Sequence, residues 1–358
     1  MKNITFPLTV VLFTLFFICS CSGKTDRSAR PMPMIKLEPA QKTYRLGDPL
    51  SIRVSTTLKK GTLKKVELYM NNRLLITGTN EIFSYPIQSL NYTGVNTLRV
   101  VAETSQGIQN SRIFNFTVLA VNRPVNYTYK VVKAYNHSTD HFTQGLEIKG
   151  DYLYEGTGEN GKSALYQISL STSRIIRSKP LEDRFFGEGI TLLGNKIYQL
   201  TYKNQLGFVY DLESFAVIDS FRFASKEGWG LTNDGKSLIM SDGTGTLTWI
   251  NPSDYSIEKK IDVVDHEKVW QYLNELEYVD GFIWANVWGS DLIIQIDANN
   301  GEIKGIVNLK GILSVMETTQ SSQVDVLNGI AFIPSSGNLL VTGKLWPKMF
   351  EIKIEKSE

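Results

Sequence analysis

A short motif recurs five times between Gln144 and Asn328, and it restricts the fold more tightly than anything else in the chain. Each copy is a polar or aromatic residue, then Gly or Glu, then an apolar residue. The copies are Gln144-Gly145-Leu146, Glu188-Gly189-Ile190, Trp229-Gly230-Leu231, Asn274-Glu275-Leu276 and Asn328-Gly329-Ile330, beginning 44, 41, 45 and 54 residues apart. Each runs into a short turn, such as Leu193-Gly194-Asn195 or Asn233-Asp234-Gly235, and then a second apolar run, with no helical segment between copies. A period of this size built from hairpins predicts radially repeated four-stranded blades, a five-bladed β-propeller. Equivalent positions of successive blades converge on one axis, so Gln144, Glu188, Trp229, Asn274 and Asn328 are expected around one pocket.

The repeats leave a long amino-terminal stretch to explain. A length of 358 residues leaves room for a second domain, and 42% hydrophobic with 21% charged residues is a globular composition. Lys2, the apolar run from Ile4 to Ile18, Ser20 and Cys21 have the layout of an export signal, too short to span a bilayer. Ile18-Cys19-Ser20-Cys21 resembles a bacterial lipobox, which makes Cys21 the expected lipidation site and a lipid anchor the expected link to the periplasmic or cell-surface side of a membrane. The alternative is a soluble secreted protein. Beyond residue 21 there is no cysteine, hence no disulfide and no thiolate metal site. Residues 22–34 read as a flexible tether. Residues 35–122 carry short alternating strands, such as Leu50, Ile52, Val54 and Val66, Leu68, Met70, that predict an immunoglobulin-like β-sandwich. A boundary at Val121-Asn122-Arg123-Pro124 places the propeller at residues 127–354. The net charge of +2 argues against a nucleic-acid partner, and a monomer is expected.

Gly156 to Ser163 satisfies the phosphate-loop pattern, but the following Ala164-Leu165-Tyr166-Gln167-Ile168 alternates like a strand, and the phosphate chemistry needs a helix there. A hairpin turn is expected instead. His137, His141 and His266 show no metal-ligand spacing, so no metal site is expected. Glu188 lies between two glycines where the inner-strand pattern puts it in the channel. Trp229 shares its repeat position, while Trp288 and Lys344 fall where the second strands of their blades end. Such residues serve either as channel lining and blade packing or as a binding or catalytic pocket.

The series Phe142-Thr143-Gln144-Gly145-Leu146, Phe186-Gly187-Glu188-Gly189, Gly228-Trp229-Gly230-Leu231, Leu273-Asn274-Glu275-Leu276-Glu277-Tyr278, Trp284-Ala285-Asn286-Val287-Trp288, Asn328-Gly329-Ile330-Ala331 and Thr342-Gly343-Lys344-Leu345-Trp346-Pro347 resembles, in order, the motifs of the plant-type glutaminyl-peptide cyclotransferases. The resemblance runs from Tyr127 to Ile354. It departs at Tyr135-Asn136-His137, where a proline often follows the tyrosine. It implies an enzyme that converts amino-terminal glutamine of peptides or proteins into pyroglutamate with release of ammonia. It further implies Glu188 as catalytic acid/base and Phe142, Gln144, Trp229, Asn274, Trp288 and Lys344 as substrate-binding residues. No cofactor is implied for catalysis, while a structural calcium in the channel is compatible with the family. Indole walls are expected to raise the pKa of Glu188. Two rival readings are a non-enzymatic propeller that binds a peptide or glycan at its hub, and a calcium-dependent lactonase-like hydrolase; the latter would need more acidic inner-strand ligands than the repeat supplies.

Overall fold

A computed structural model describes residues 29–314 and 324–356, so the expected export signal, Cys21 and residues 22–28 lie outside the described residues. All the described elements are β-strands. Amino-terminally, Met32–Glu38, Leu50–Thr57 and Ile82–Ile87 form one sheet. Thr43–Arg45, Gln109–Leu119, Gly94–Thr104, Leu63–Met70 and Arg73–Gly78 form a second, in that order. Alternation decides which face is buried: Leu50, Ile52 and Val54 point inward and meet Val66, Leu68, Leu98, Val100 and Phe116 of the other sheet in one core. The first strand starts at Met32, ahead of the expected Ile35. Pro31 and Pro33 suggest tether, yet Met32–Glu38 is an edge strand, where a residue without an N–H is tolerated.

Three four-stranded antiparallel sheets follow, each a run of consecutive strands. They begin with Thr143–Lys149, Gly187–Leu193 and Leu231–Asn233. An eight-stranded sheet joins two further groups of four. Its edges are Leu273–Val279 and Leu327–Ile333, and the long strand Val125–Asn136 is its joint, pairing parallel with Gly305–Val307 and antiparallel with Lys348–Lys356. The chain's early strand is thereby stitched to its last one. The first strands of successive groups touch one another in turn, and Leu327–Ile333 touches Thr143–Lys149, so the arrangement is a closed, propeller-like ring.

The repeated motif has two physical jobs in this ring. Its glycine lets neighbouring first strands approach backbone to backbone: a Cβ on Gly230 would lie 2.0 Å from the carbonyl oxygen of Asn274. Its first residue sits at or beside a register shift, between Thr143 and Gly145, Gly187 and Ile190, Leu273 and Leu276, and Leu327 and Ile330. A bulge of this kind re-aims one side chain out of the pleat and towards the axis. The fourth copy carries Glu275 in place of glycine. Its buried carboxylate accepts hydrogen bonds from Leu146 N at 3.1 Å and Ile330 N at 2.8 Å, stapling three first strands together. Gly156 to Ser163 is a strand end and a turn, with Glu159 at φ 76°, and offers no helix amino terminus to a phosphate.

Candidate active site

At one end of the axis the bulged side chains open into a cavity of about 360 Å³. Gln144, Glu188, Trp229 and Asn274 come from the motif copies, Phe142 precedes the first copy, and Trp288 and Lys344 come from the ends of second strands; all seven line this cavity. Phe186, Tyr202 and Tyr272 complete the lining. Sequence reasoning did not single these three out. Phe186 and Tyr272 sit two residues before Glu188 and Asn274, so period-two alternation along the chain was the signal that could have found them.

The walls are aromatic. Trp229 and Trp288 meet edge to face at 6.0 Å, Tyr272 lies 6.1 Å from Trp288, and Phe142 meets Phe186 at 6.0 Å. Trp229 is fixed from behind: its Nε1 donates to Glu227 Oε2 at 3.0 Å, and its ring packs against Gly243, where a Cβ would come within 2.6 Å. Trp288, by contrast, is 46% exposed and forms the rim.

Within these walls stand one carboxyl and one amine. Glu188 is buried, and desolvation pushes its pKa well above the usual carboxylate range; the Lys344 charge pulls it down and Glu227 pushes it further up. Lys344 is buried as well, its ammonium lying 4.7 Å from the centre of the Phe142 ring. Burial lowers its pKa, against the attraction of Glu188 and Asp325. Loss of water therefore works against the charge on each, while their mutual attraction works in its favour.

Two amides finish the site. The buried Oδ1 of Asn274 has no hydrogen-bond partner among the described residues, leaving an acceptor for a molecule in the pocket. Gln144 is oriented by Asn328, whose Nδ2 donates to Gln144 Oε1 at 3.2 Å and to Thr143 O at 2.9 Å. Asn328 itself was expected in the pocket and does not line it. It is fully buried behind Gln144, because its amide satisfies a neighbouring strand instead.

Two of the three histidines gather in a way their spacing concealed. His137 Nε2 lies 3.0 Å from Glu155 Oε1, His141 Nδ1 lies 2.7 Å from Oε2, and Thr143 Oγ1 donates to Oε1 at 2.7 Å. His137 Nδ1 also faces Trp346 O at 2.6 Å, and Leu345 N donates to the carbonyl of His141 at 2.8 Å. The cluster thus ties the segment bearing Phe142 and Gln144 to the turn after Lys344. Among the described residues, His137, His141 and Glu155 are a group close enough to share a metal ion. Their contacts are direct hydrogen bonds, however, shorter than the ~3.3 Å that tetrahedral zinc would set between ligand atoms.

The chain matches the family model for glutamine cyclotransferase over residues 100–354, beginning earlier than Tyr127. It is 39% identical over 229 residues to a glutaminyl-peptide cyclotransferase of Arabidopsis thaliana, spanning 64% of this chain and 72% of that one. A crystal structure of Myxococcus xanthus glutaminyl cyclase superposes with a TM-score of 0.61 at 31% identity, over 66% of this chain and 100% of that one.

Proposed function

This chain belongs to the glutamine cyclotransferase family and is a glutaminyl-peptide cyclotransferase, and from that premise we propose how its side chains close an amino-terminal glutamine into pyroglutamate with release of ammonia. The α-amine attacks the residue's own side-chain amide carbon. Nucleophile and electrophile arrive together, so the pocket's first task is to hold the productive rotamer, and orientation alone can supply several kcal/mol of the barrier. Trp229 and Trp288 confine the side chain between flat apolar faces. Asn274 Oδ1 accepts a hydrogen bond from the amine. Gln144, whose carbonyl is occupied by Asn328, presents its NH₂ to the amide oxygen, and Lys344 supplies positive charge as that oxygen becomes anionic.

Glu188 moves the proton. As carboxylate it takes a proton from the attacking nitrogen while the new C–N bond forms, and as acid it returns it to the departing nitrogen, which leaves as ammonia. One group can do both because burial raises its pKa above the ordinary carboxylate range, and a shuttle of this kind is worth about 100- to 10,000-fold in rate. The observation that carries the reading is the buried carboxyl of Glu188 in an aromatic cavity beside Lys344. The test is the pH dependence of kcat on a Gln-initiated peptide. Its acid limb is expected well above the ordinary carboxylate range; a midpoint near the ordinary value would contradict the assignment.

The reading takes the fold as a five-bladed propeller, supported by the ring of first strands. An immunoglobulin-like sandwich over residues 35–122 precedes it, supported by the two-sheet core. It also takes the protein as an exported monomer anchored through Cys21, supported by the leader sequence. If a structural calcium binds in the channel, the buried carboxylates of Glu147 and Glu277 offer oxygens suited to such a hard cation. No step is routed through a metal.

A further inference from the structure

Beside the active pocket lies a larger cleft of about 750 Å³, walled on one side by the five-stranded amino-terminal sheet and its loops and on the other by the third four-stranded sheet. Neither wall is loosely placed. Thr93 Oγ1 donates to Asp262 O at 2.7 Å and also to Asn300 O, Val95 N donates to Asp262 Oδ2 at 2.9 Å, and Arg45 Nη1 bonds the carbonyls of Ala120 and His266. Gly94, at φ 79°, sits so tightly that a Cβ there would come 2.0 Å from the Asp262 Cβ.

The cleft and the pocket share a wall, the loop Asp242-Gly243-Thr244. Gly243 packs against the Trp229 ring and accepts a hydrogen bond from Tyr272 N at 2.9 Å, on the pocket side. Asp242 and Thr244 line the cleft. The floor is Ile257–Asp262, the edge strand of its sheet. An edge strand offers main-chain groups to an added extended chain. Around it stand exposed Tyr92 and Ile257, which suit side chains, and exposed Asn72 and Lys260, which suit peptide carbonyls.

Resting on the cyclotransferase reading, we propose that this cleft is the subsite for the polypeptide that follows the cyclising glutamine. The amino-terminal domain then serves as a specificity wall, and the preferred substrates are extended polypeptide amino termini rather than free glutamine or dipeptides. The alignments to the plant and Myxococcus proteins span only about two thirds of this chain.

The test compares kcat/KM for a Gln-initiated dipeptide and decapeptide, using the full-length protein and the variants Asn72→Trp and Lys260→Trp, both at exposed positions. The full-length protein is expected to favour the decapeptide by about tenfold or more, the effect of two or three added hydrogen bonds. Each tryptophan should remove most of that preference and leave dipeptide turnover within about twofold of the parent, as expected for a surface change away from the pocket. Equal turnover of both peptides by the parent, or equal effects of the variants on both, would overturn the proposal. Failure of the parent to cyclise either peptide would instead sink the cyclotransferase reading, and the cleft assignment with it.

Discussion

Glu188 and Lys344 oppose one another in a way that kinetics can separate. Burial disfavours the charge on each, and their mutual attraction favours it, so removing one charge shifts the other group further from its ordinary pKa. Lys344→Met keeps an apolar stem and loses the ammonium. It is expected to lower kcat by about 100-fold or more, the usual cost of losing one charge-stabilising group. It should also move the acid limb of the kcat profile to still higher pH, because Lys344 now pulls the Glu188 pKa down. A pH–rate series on this variant checks the sign; an unmoved limb would show that the two groups are uncoupled, and a limb moving to lower pH would contradict the assignment. The repeat made six of the pocket's seven named residues legible because equivalent positions of radial hairpins must converge, and the family resemblance added Phe142. It could not show that Asn328 turns aside to orient Gln144, nor that His137, His141 and Glu155 meet. Those outcomes depend on which strand lies behind which, and local spacing carries no such information.

The motif's glycine acts at the scale of the strand. Gly230 allows the first strand of one sheet to lie against the next, with Asn274 O only 2.0 Å from where a Cβ would stand. That neighbour is backbone and cannot swing away. Gly230→Ala should therefore destabilise the protein by about 2–3 kcal/mol, in the range for overpacking, and displace Trp229 and Asn274 on either side of it. Urea unfolding measures the first effect and KM for the peptide the second. A stability loss with unchanged KM would mean that these strands do not set the pocket. The glycines were legible as a pattern, and their reason emerged only with the backbone contacts. Glu275, the one copy that breaks the pattern, turned out to hold three first strands with one side chain, a role that no single-strand reading reveals.

Across the whole molecule the buried carboxylates make stability depend on pH in two opposite directions. Burial raises Glu147 to about 7 and pushes Glu275 and Glu277 well above the ordinary range. Stability from these groups is full below the ordinary carboxylate pKa and is lost as pH rises through their raised values. Glu155 runs the other way: the two histidines outweigh its desolvation and hold its pKa low, so its contribution is present at neutral pH and is lost on acidification. Thermal unfolding followed from about pH 5 to pH 8 is expected to show a falling Tm, and Glu147→Gln should flatten that fall. A Tm rising across that window would contradict the assignment. At this scale the all-strand class was visible in the alternation and the period. The joint was not, because Val125–Asn136 pairs with strands distant in sequence at both its edges.

The measurement that tests the central claim most directly is turnover by Glu188→Gln, which keeps the side chain's shape and removes its ability to carry a proton both ways. Ammonia release should fall by about 100- to 10,000-fold, the range for a lost general acid–base group. Peptide affinity and Tm should stay close to those of the parent. Near-parental ammonia release from a folded, peptide-binding Glu188→Gln protein would contradict the proton-shuttle account.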